Sequence, residues 1–296
     1  MKSLPLDSAA EIDKIARNLL LVSKAWGRFP TPVDEMVRVA ELQIEHGIDL
    51  GAVDPGFFTE KFHFLSRALS KAIGLIDFRQ KIIYLDHKQP ESRKSFIKLH
   101  EVGHKALTWQ SGLLGFMDDD TTLDPTVKDQ FEREASYFAS CALFQSERFD
   151  EEVAKLPLSI KSAQALAQMF GGSNHAAIRR YVERSKKRCA LLVLNKPEVN
   201  GHYHVKIRDY FQSASFTADF GEITWPNGQC GLEYVFVQEI KRGRKLHEDG
   251  QVALVTGTGE TVTFTYHFFN SGYNAFIFLL PVGEMIKSRV IIVPKG

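Results

Sequence analysis

His100, Glu101 and His104 stand in the order H-E-x-x-H. On a helix, positions four apart lie one above the other, so both imidazoles project from one face and can hold a single metal ion. The glutamate between them is then placed to take a proton from water on that metal, which is the chemistry of metal-dependent peptide hydrolysis. With 10 His and 20 Glu among 296 residues, chance supplies roughly 0.02 copies of the pattern. Two core histidines that merely happen to be four apart are thereby set aside.

The surrounding residues predict the helix that this chemistry needs. Pro90 suits a first helical turn, Glu91 suits the positive end of a helix dipole, and Ser92 to Trp109 contains no proline. Phe96, His100, Gly103, His104 and Leu107 follow the spacing of one inward face. A catalytic metal needs a third protein ligand and an open position for water. The next strongly helical segment runs from Phe131 to Phe144, with Phe131, Ala135, Phe138, Ala139, Ala142 and Leu143 as its apolar stripe. At ~100° per residue, Glu132 lies about 60° from the centre of that stripe and Glu134 about 100° away on its flank. Glu132 is therefore the expected third ligand, with Glu134 the alternative.

These residues carry a resemblance. Ser95 to His104, followed by Glu132-Arg133-Glu134-Ala135-Ser136-Tyr137-Phe138-Ala139, resembles the ImmA/IrrE family of metallopeptidases, which pairs an F-x-x-A-H-E-x-G-H helix with a downstream E-x-E-A-N-x-F-A helix. A strand-like Lys81 to Asp86 before the motif and Phe29-Pro30-Thr31-Pro32-Val33-Asp34 opening an earlier helix also fit. Leu99, Ser136 and Ala142-Leu143-Phe144-Gln145 depart from the family's usual alanine, asparagine and Leu-Leu-Met-Pro, and none of these removes a ligand. The resemblance implies a zincin-like, mostly helical metallopeptidase domain with a short β-sheet. It implies His100, His104 and Glu132 as metal ligands and Glu101 as general base. Zinc is the metal expected of such a set, and manganese is compatible with it. The strand at Lys81 to Asp86 is a candidate for pairing with an extended substrate.

The expected class is α+β, in three parts: a metallopeptidase domain over 1–155, a helix-turn-helix-like segment over 156–188 and a β-rich domain over 189–296. In the middle part, Ser162 to Phe170 and Asn174 to Arg184 read as helices joined by Gly171-Gly172-Ser173, with Leu166, Ala167, Phe170, Ala177, Ile178 and Tyr181 inward. A similar segment follows the peptidase unit in the radiation-resistance members of the family. Arg179, Arg180, Arg184, Lys186, Lys187 and Arg188 make it basic. A solvated basic face is favoured there over a DNA-contacting helix, so direct nucleic-acid binding is not expected. Beyond Cys189, segments at 190–194, 202–210, 232–240, 252–255, 261–269, 275–280 and 290–293 read as strands. The radiation-resistance relatives carry a sensor-like domain at this place. No motif in the stretch shows one, and His202 and His204 read as two exposed histidines rather than a second metal site.

Composition bounds the setting. A net charge of +1, with 44% hydrophobic and 25% charged residues, argues against a nucleic-acid or membrane polyelectrolyte. Leu19 to Val22 is too short for a signal-peptide core and Ala275 to Val282 too short to span a bilayer. Cys141, Cys189 and Cys230 are odd in number and scattered, as reduced core residues would be. The compartment expected is the cytoplasm, with no membrane partner. Met117-Asp118-Asp119-Asp120, with Asp124 beyond, is either a solvated loop or an acidic lip for a basic substrate.

Two functions compete. One is an endopeptidase that cleaves a specific intracellular protein; the resemblance points to a DNA-binding repressor, since family members of known role cleave such proteins. The other is a non-proteolytic DNA-binding or ligand-sensing regulator with a structural metal. A structural zinc site closes with four protein ligands and needs no glutamate between its histidines, which favours the first.

Overall fold

The computed structural model describes residues 6–48, 74–77, 80–116, 124–200 and 202–284. The fold is α+β and divides into two units, Met1–Phe149 with Gln168–Ser173, and Asp150–Ala167 with Asn174–Gly296.

The first unit begins with α1 (Leu6–Val22) and α2 (Val33–Val39). Three strands follow, β1 (Gln43–Ile48), β2 (Gly74–Asp77) and β3 (Ile82–Asp86), in the order β1-β3-β2. β3 pairs parallel with β1 and antiparallel with β2, so both of its edges are taken. The expectation that this strand could pair with substrate is thereby overturned: its backbone donors and acceptors are already spent within the sheet. Among the described residues the unit continues with α3 (Glu91–Ala106), α4 (Thr108–Phe116) and α5 (Pro125–Phe144). Pro90 occupies the N-cap of α3. α5 starts six residues earlier than the apolar stripe indicated, because Pro125 takes its first position and the Asp124 carboxylate caps it by accepting from the Thr126 N–H at 2.7 Å. The stripe itself is buried as expected, with Ala135, Phe138, Ala139 and Ala142 sealed from solvent.

Side chains lock the first unit around α5. Asp13 on α1 accepts from Tyr137 at 3.1 Å and from Ser146 at 2.7 Å. Gln145, one of the departures from the family pattern, ends α5 in the left-handed conformation with its amide buried. That amide donates to the Arg28 carbonyl and Thr31 Oγ1 and accepts from the Gly27 N–H. Lys98 on α3 reaches Asp34 on α2 at 2.6 Å.

The chain continues through α6 (Glu147–Lys155), α7 (Ile160–Phe170) and α8 (Asn174–Glu183). α7 and α8 with their three-residue turn match the expected helix pair, and the six residues named as inward are buried. Three of the basic side chains are ion-paired within the chain and a fourth is buried. Arg179 bonds Glu183 and stacks over Phe211, Arg184 bonds Asp150, Arg188 bonds Asp219 and Glu284, and Arg180 is buried.

The second unit is built on antiparallel strands β4 (Ala190–Leu194), β5 (Glu198–Asn200), β6 (His202–Gln212), β7 (Gln229–Gly231), β8 (Leu246–Val255), β9 (Thr261–Asn270) and β10 (Ala275–Pro281). Their order is β5-β6-β4-β10-β9-β8, with β7 paired to β6. β10 reads as an unbroken apolar run because both its faces are covered. Phe276 and Phe278 meet His175 and Tyr181 of α8 on one side. Ala275, Ile277 and Leu279 enter the main core on the other.

Two short helices, α9 (Ala214–Phe220) and α10 (Val235–Lys241), supply aromatic residues to that core. The expected strand over Leu232 to Ile240 is thus corrected to a helix. Its buried residues Phe236, Val237, Glu239 and Ile240 follow helical spacing, and the β-branched valines concealed it. The segment at 290–293 lies outside the described residues. The three cysteines are buried and free, and among the described residues no helix is long and apolar enough to cross a membrane.

Candidate metal centre

The site lies where α3 crosses α5. A close crossing needs a residue without a side chain, and Gly103 provides it: a Cβ there would sit 3.1 Å from Phe138 Cδ1 and 3.2 Å from Ala135 Cα. Of the seven residues from Lys98 to His104 all but His100 are buried. His104 and Glu101 are each 6% exposed.

Three groups converge at this seam. His100 Nε2 and His104 Nε2 are 3.1 Å apart. Glu132 places Oε2 3.2 Å from His100 Nε2 and Oε1 3.6 Å from His104 Nε2. All three ligand atoms lie within 4.8 Å of one another. An ion bonded at ~2.0–2.1 Å in a tetrahedron has its ligands ~3.3 Å apart, so these separations fit a zinc-sized ion. The donor set, two imidazoles and one carboxylate, fits the same kind of ion.

The Glu132 side chain is half exposed, at 54%, whereas Glu134 is buried. Sequence geometry ranked Glu134 as the flanking and Glu132 as the inward residue. Both in fact leave edges of the apolar stripe, roughly 160° apart on the helix. One edge faces the histidines, and the other faces α4. At that second edge the Glu134 carboxylate accepts from Gln110 Nε2 at 2.7 Å, Trp109 Nε1 at 2.8 Å and Gln130 Nε2 at 2.8 Å. Gln110 Oε1 in turn lies 2.8 Å from His104 Nδ1, and Ser136 Oγ lies 3.3 Å from His100 Nδ1.

Sequence reasoning missed Gln110, because it continued the motif helix through Trp109. The helix instead breaks at Leu107, which is extended at φ −78°, ψ 97°. A new helix then starts, and Gln110 is turned back under His104. A polar residue six positions after the second histidine, beside an exposed Trp109, was the only available signal.

Burial sets the protonation of the metal-free site. It pulls His104 down to about 4, with the charge of His100 adding to the effect, so the ring is neutral at pH 7 with a free lone pair. Burial also lowers His100, but its bond to Glu132 and the charge of Glu101 outweigh this and the net shift is upward. Glu132 is held below the usual carboxylate range: burial opposes this, but the bond to His100 and the charge of His104 prevail. Burial pushes the Glu101 carboxyl up to about 7, against the pull of His100. A group of that kind can accept and return a proton near neutrality.

Asp118, Asp119 and Asp120 lie outside the described residues. Asp124 is occupied in capping α5.

Residues 45–181 match the family model Peptidase_M78, described as the IrrE N-terminal-like domain. No curated protein matches the chain. Among the solved structures that match is a Mycobacterium tuberculosis transcriptional regulator, 12% identical, with a TM-score of 0.55 over 97% of this chain and 92% of that one. At that identity the likeness concerns the fold alone. The motif helix and the convergent His-His-Glu cluster both fall within residues 45–181, the stretch that is similar to the IrrE N-terminal-like domain of Peptidase_M78.

Proposed function

We propose that this protein is a zinc-dependent endopeptidase that hydrolyses a peptide bond in a specific intracellular protein. The observation that carries the reading is the convergence of His100, His104 and Glu132 beside a buried glutamate at the motif position. His100, His104 and Glu132 would hold the ion, leaving a position open for water or substrate. Zinc is the assigned ion and manganese an acceptable substitute. A bound divalent ion supplies Lewis acidity, bringing the pKa of water toward ~7 and polarising the scissile carbonyl. Glu101 takes the proton released by the attacking water and delivers it to the departing amine. The Glu101 carboxyl that would carry this proton is itself buried in the α3–α5 seam.

The substrate we assign is a DNA-binding repressor, on the strength of the family resemblance. A second reading, a regulator whose metal is structural, draws support from the mycobacterial neighbour, itself a transcriptional regulator. The three-ligand set and the placement of Glu101 favour catalysis, because a structural site has use for neither. The test is incubation of wild-type and Glu101→Gln protein with a repressor encoded beside it. The wild type should cleave and the variant should be slower by about 10²-fold or more with its metal retained. A variant as fast as wild type overturns the role of Glu101.

A further inference from the structure

The buried side chains behind the histidines form a chain of hydrogen bonds whose polarity can be read in only one direction. Glu134, as a carboxylate, only accepts. The amide nitrogen of Gln110 must therefore face it, at 2.7 Å, and the neutral donors Trp109 and Gln130 complete the carboxylate's shell. With its nitrogen committed to Glu134 and to the Phe131 carbonyl at 3.3 Å, Gln110 turns its oxygen toward His104 Nδ1, 2.8 Å away. An amide oxygen accepts, so Nδ1 must carry the proton. Nε2 is left as a bare lone pair on the side facing His100 and Glu132. Neither amide orientation nor tautomer is free, because each follows from the acceptor-only carboxylate at the far end.

We propose that Gln110 is a positioning residue for the metal centre and that Glu134 acts through it, the pair fixing His104 in the Nδ1–H tautomer with Nε2 presented for ligation. The role rests on the metal-binding reading given above. It explains why a charged side chain with no place in the ligand set is sealed in the seam, and why α3 breaks at Leu107 instead of running on. Partners behind a ligating histidine typically contribute ~10–100-fold in metal affinity.

The experiment measures zinc affinity by chelator competition in wild type, Gln110→Met and Glu134→Gln, together with ¹⁵N chemical shifts of the histidine rings in each metal-free protein. Gln110→Met keeps the volume and removes all three hydrogen bonds of the amide. Glu134→Gln keeps the shape and frees the Gln110 amide to flip. Both variants should bind zinc ~10–100-fold more weakly, and their His104 ring should populate both tautomers, whereas wild type holds Nδ1–H. Wild-type affinity in both variants would overturn the proposal. So would an Nε2–H His104 in the metal-free wild type, a result that does not depend on any variant folding. A wild-type protein that takes up no zinc would remove the underlying metal reading instead, and that outcome is distinguishable from a failure of the relay, in which all three proteins bind zinc equally.

Discussion

Both units bury a glutamate and histidines, and they treat them in opposite ways. In the second unit Glu239 sits in the core beside β8 and β9, where Arg244 meets it at 3.1 Å and His247 at 2.9 Å. Each charge there has a complement from the same unit, which is how a buried ion is normally tolerated. In the α3–α5 seam two imidazoles instead turn their Nε2 atoms toward each other and toward the Glu132 carboxylate, while their Nδ1 atoms are tied off behind. The pKa of His100 is shifted upward and that of His104 downward, so the two neighbouring rings take up charge in different pH ranges. Around Glu239 the charges close on themselves, as a structural core requires. In the α3–α5 seam they are organised around a point between side chains, as a ligand site requires.

The comparison breaks most visibly if the ligands are not needed. His104→Ala should lower metal affinity by more than ~100-fold, beyond the ~10–100-fold that loss of a supporting partner costs. Elemental analysis should fall from about one ion per chain toward none, and full occupancy would remove the assignment. Two glycines sharpen the contrast. Gly103→Val should push α3 off Ala135 and Phe138, separate the histidines from Glu132 and weaken metal binding by on the order of 10–100-fold. Gly250→Ala would drive a methyl into the Tyr266 ring. It should cost about 1–3 kcal/mol in denaturant unfolding and leave metal affinity unchanged. If the two substitutions had the same effect on metal, the units would not be specialised in this way.

Much of the site was legible because helical spacing is a short-range property. Pro90, Glu91 and the histidine spacing sufficed for α3, and the apolar stripe sufficed for α5. What escaped depended on tertiary placement. Helix angles favoured Glu132, which lies beside the histidines, but the bonds of Glu134 to Trp109 and Gln110 depend on the position of α4 and were not legible. Gln110 was hidden by a helix break that no proline or glycine announces. β3 alternates as an exposed-edge strand would, yet β1 and β2 flank it. In the second unit the fully apolar β4 and β10 were plain, whereas α10, two turns of mostly β-favouring residues, read as a strand.

A smaller effect follows from Glu101. Its carboxyl is raised from 4.5 to about 7 in the metal-free fold. The folded state therefore holds the proton more tightly, and this contribution is complete below pH 4.5 and lost as pH rises through about 7. Glu101→Gln should accordingly stabilise the metal-free protein by about 1–3 kcal/mol at pH 8 and by little at pH 4.5. Thermal unfolding at the two pH values checks it; equal shifts at both would show that the carboxyl is not held neutral by burial.

The central claim is an open metal site made from three side chains. X-ray absorption at the zinc edge of the loaded protein reads that ligand set directly. The account predicts two imidazole nitrogens at ~2.0–2.1 Å, one carboxylate oxygen at ~2.0–2.2 Å and a further oxygen from solvent, with no sulfur. A shell closed by four protein ligands, or one containing a cysteine sulfur, would contradict it.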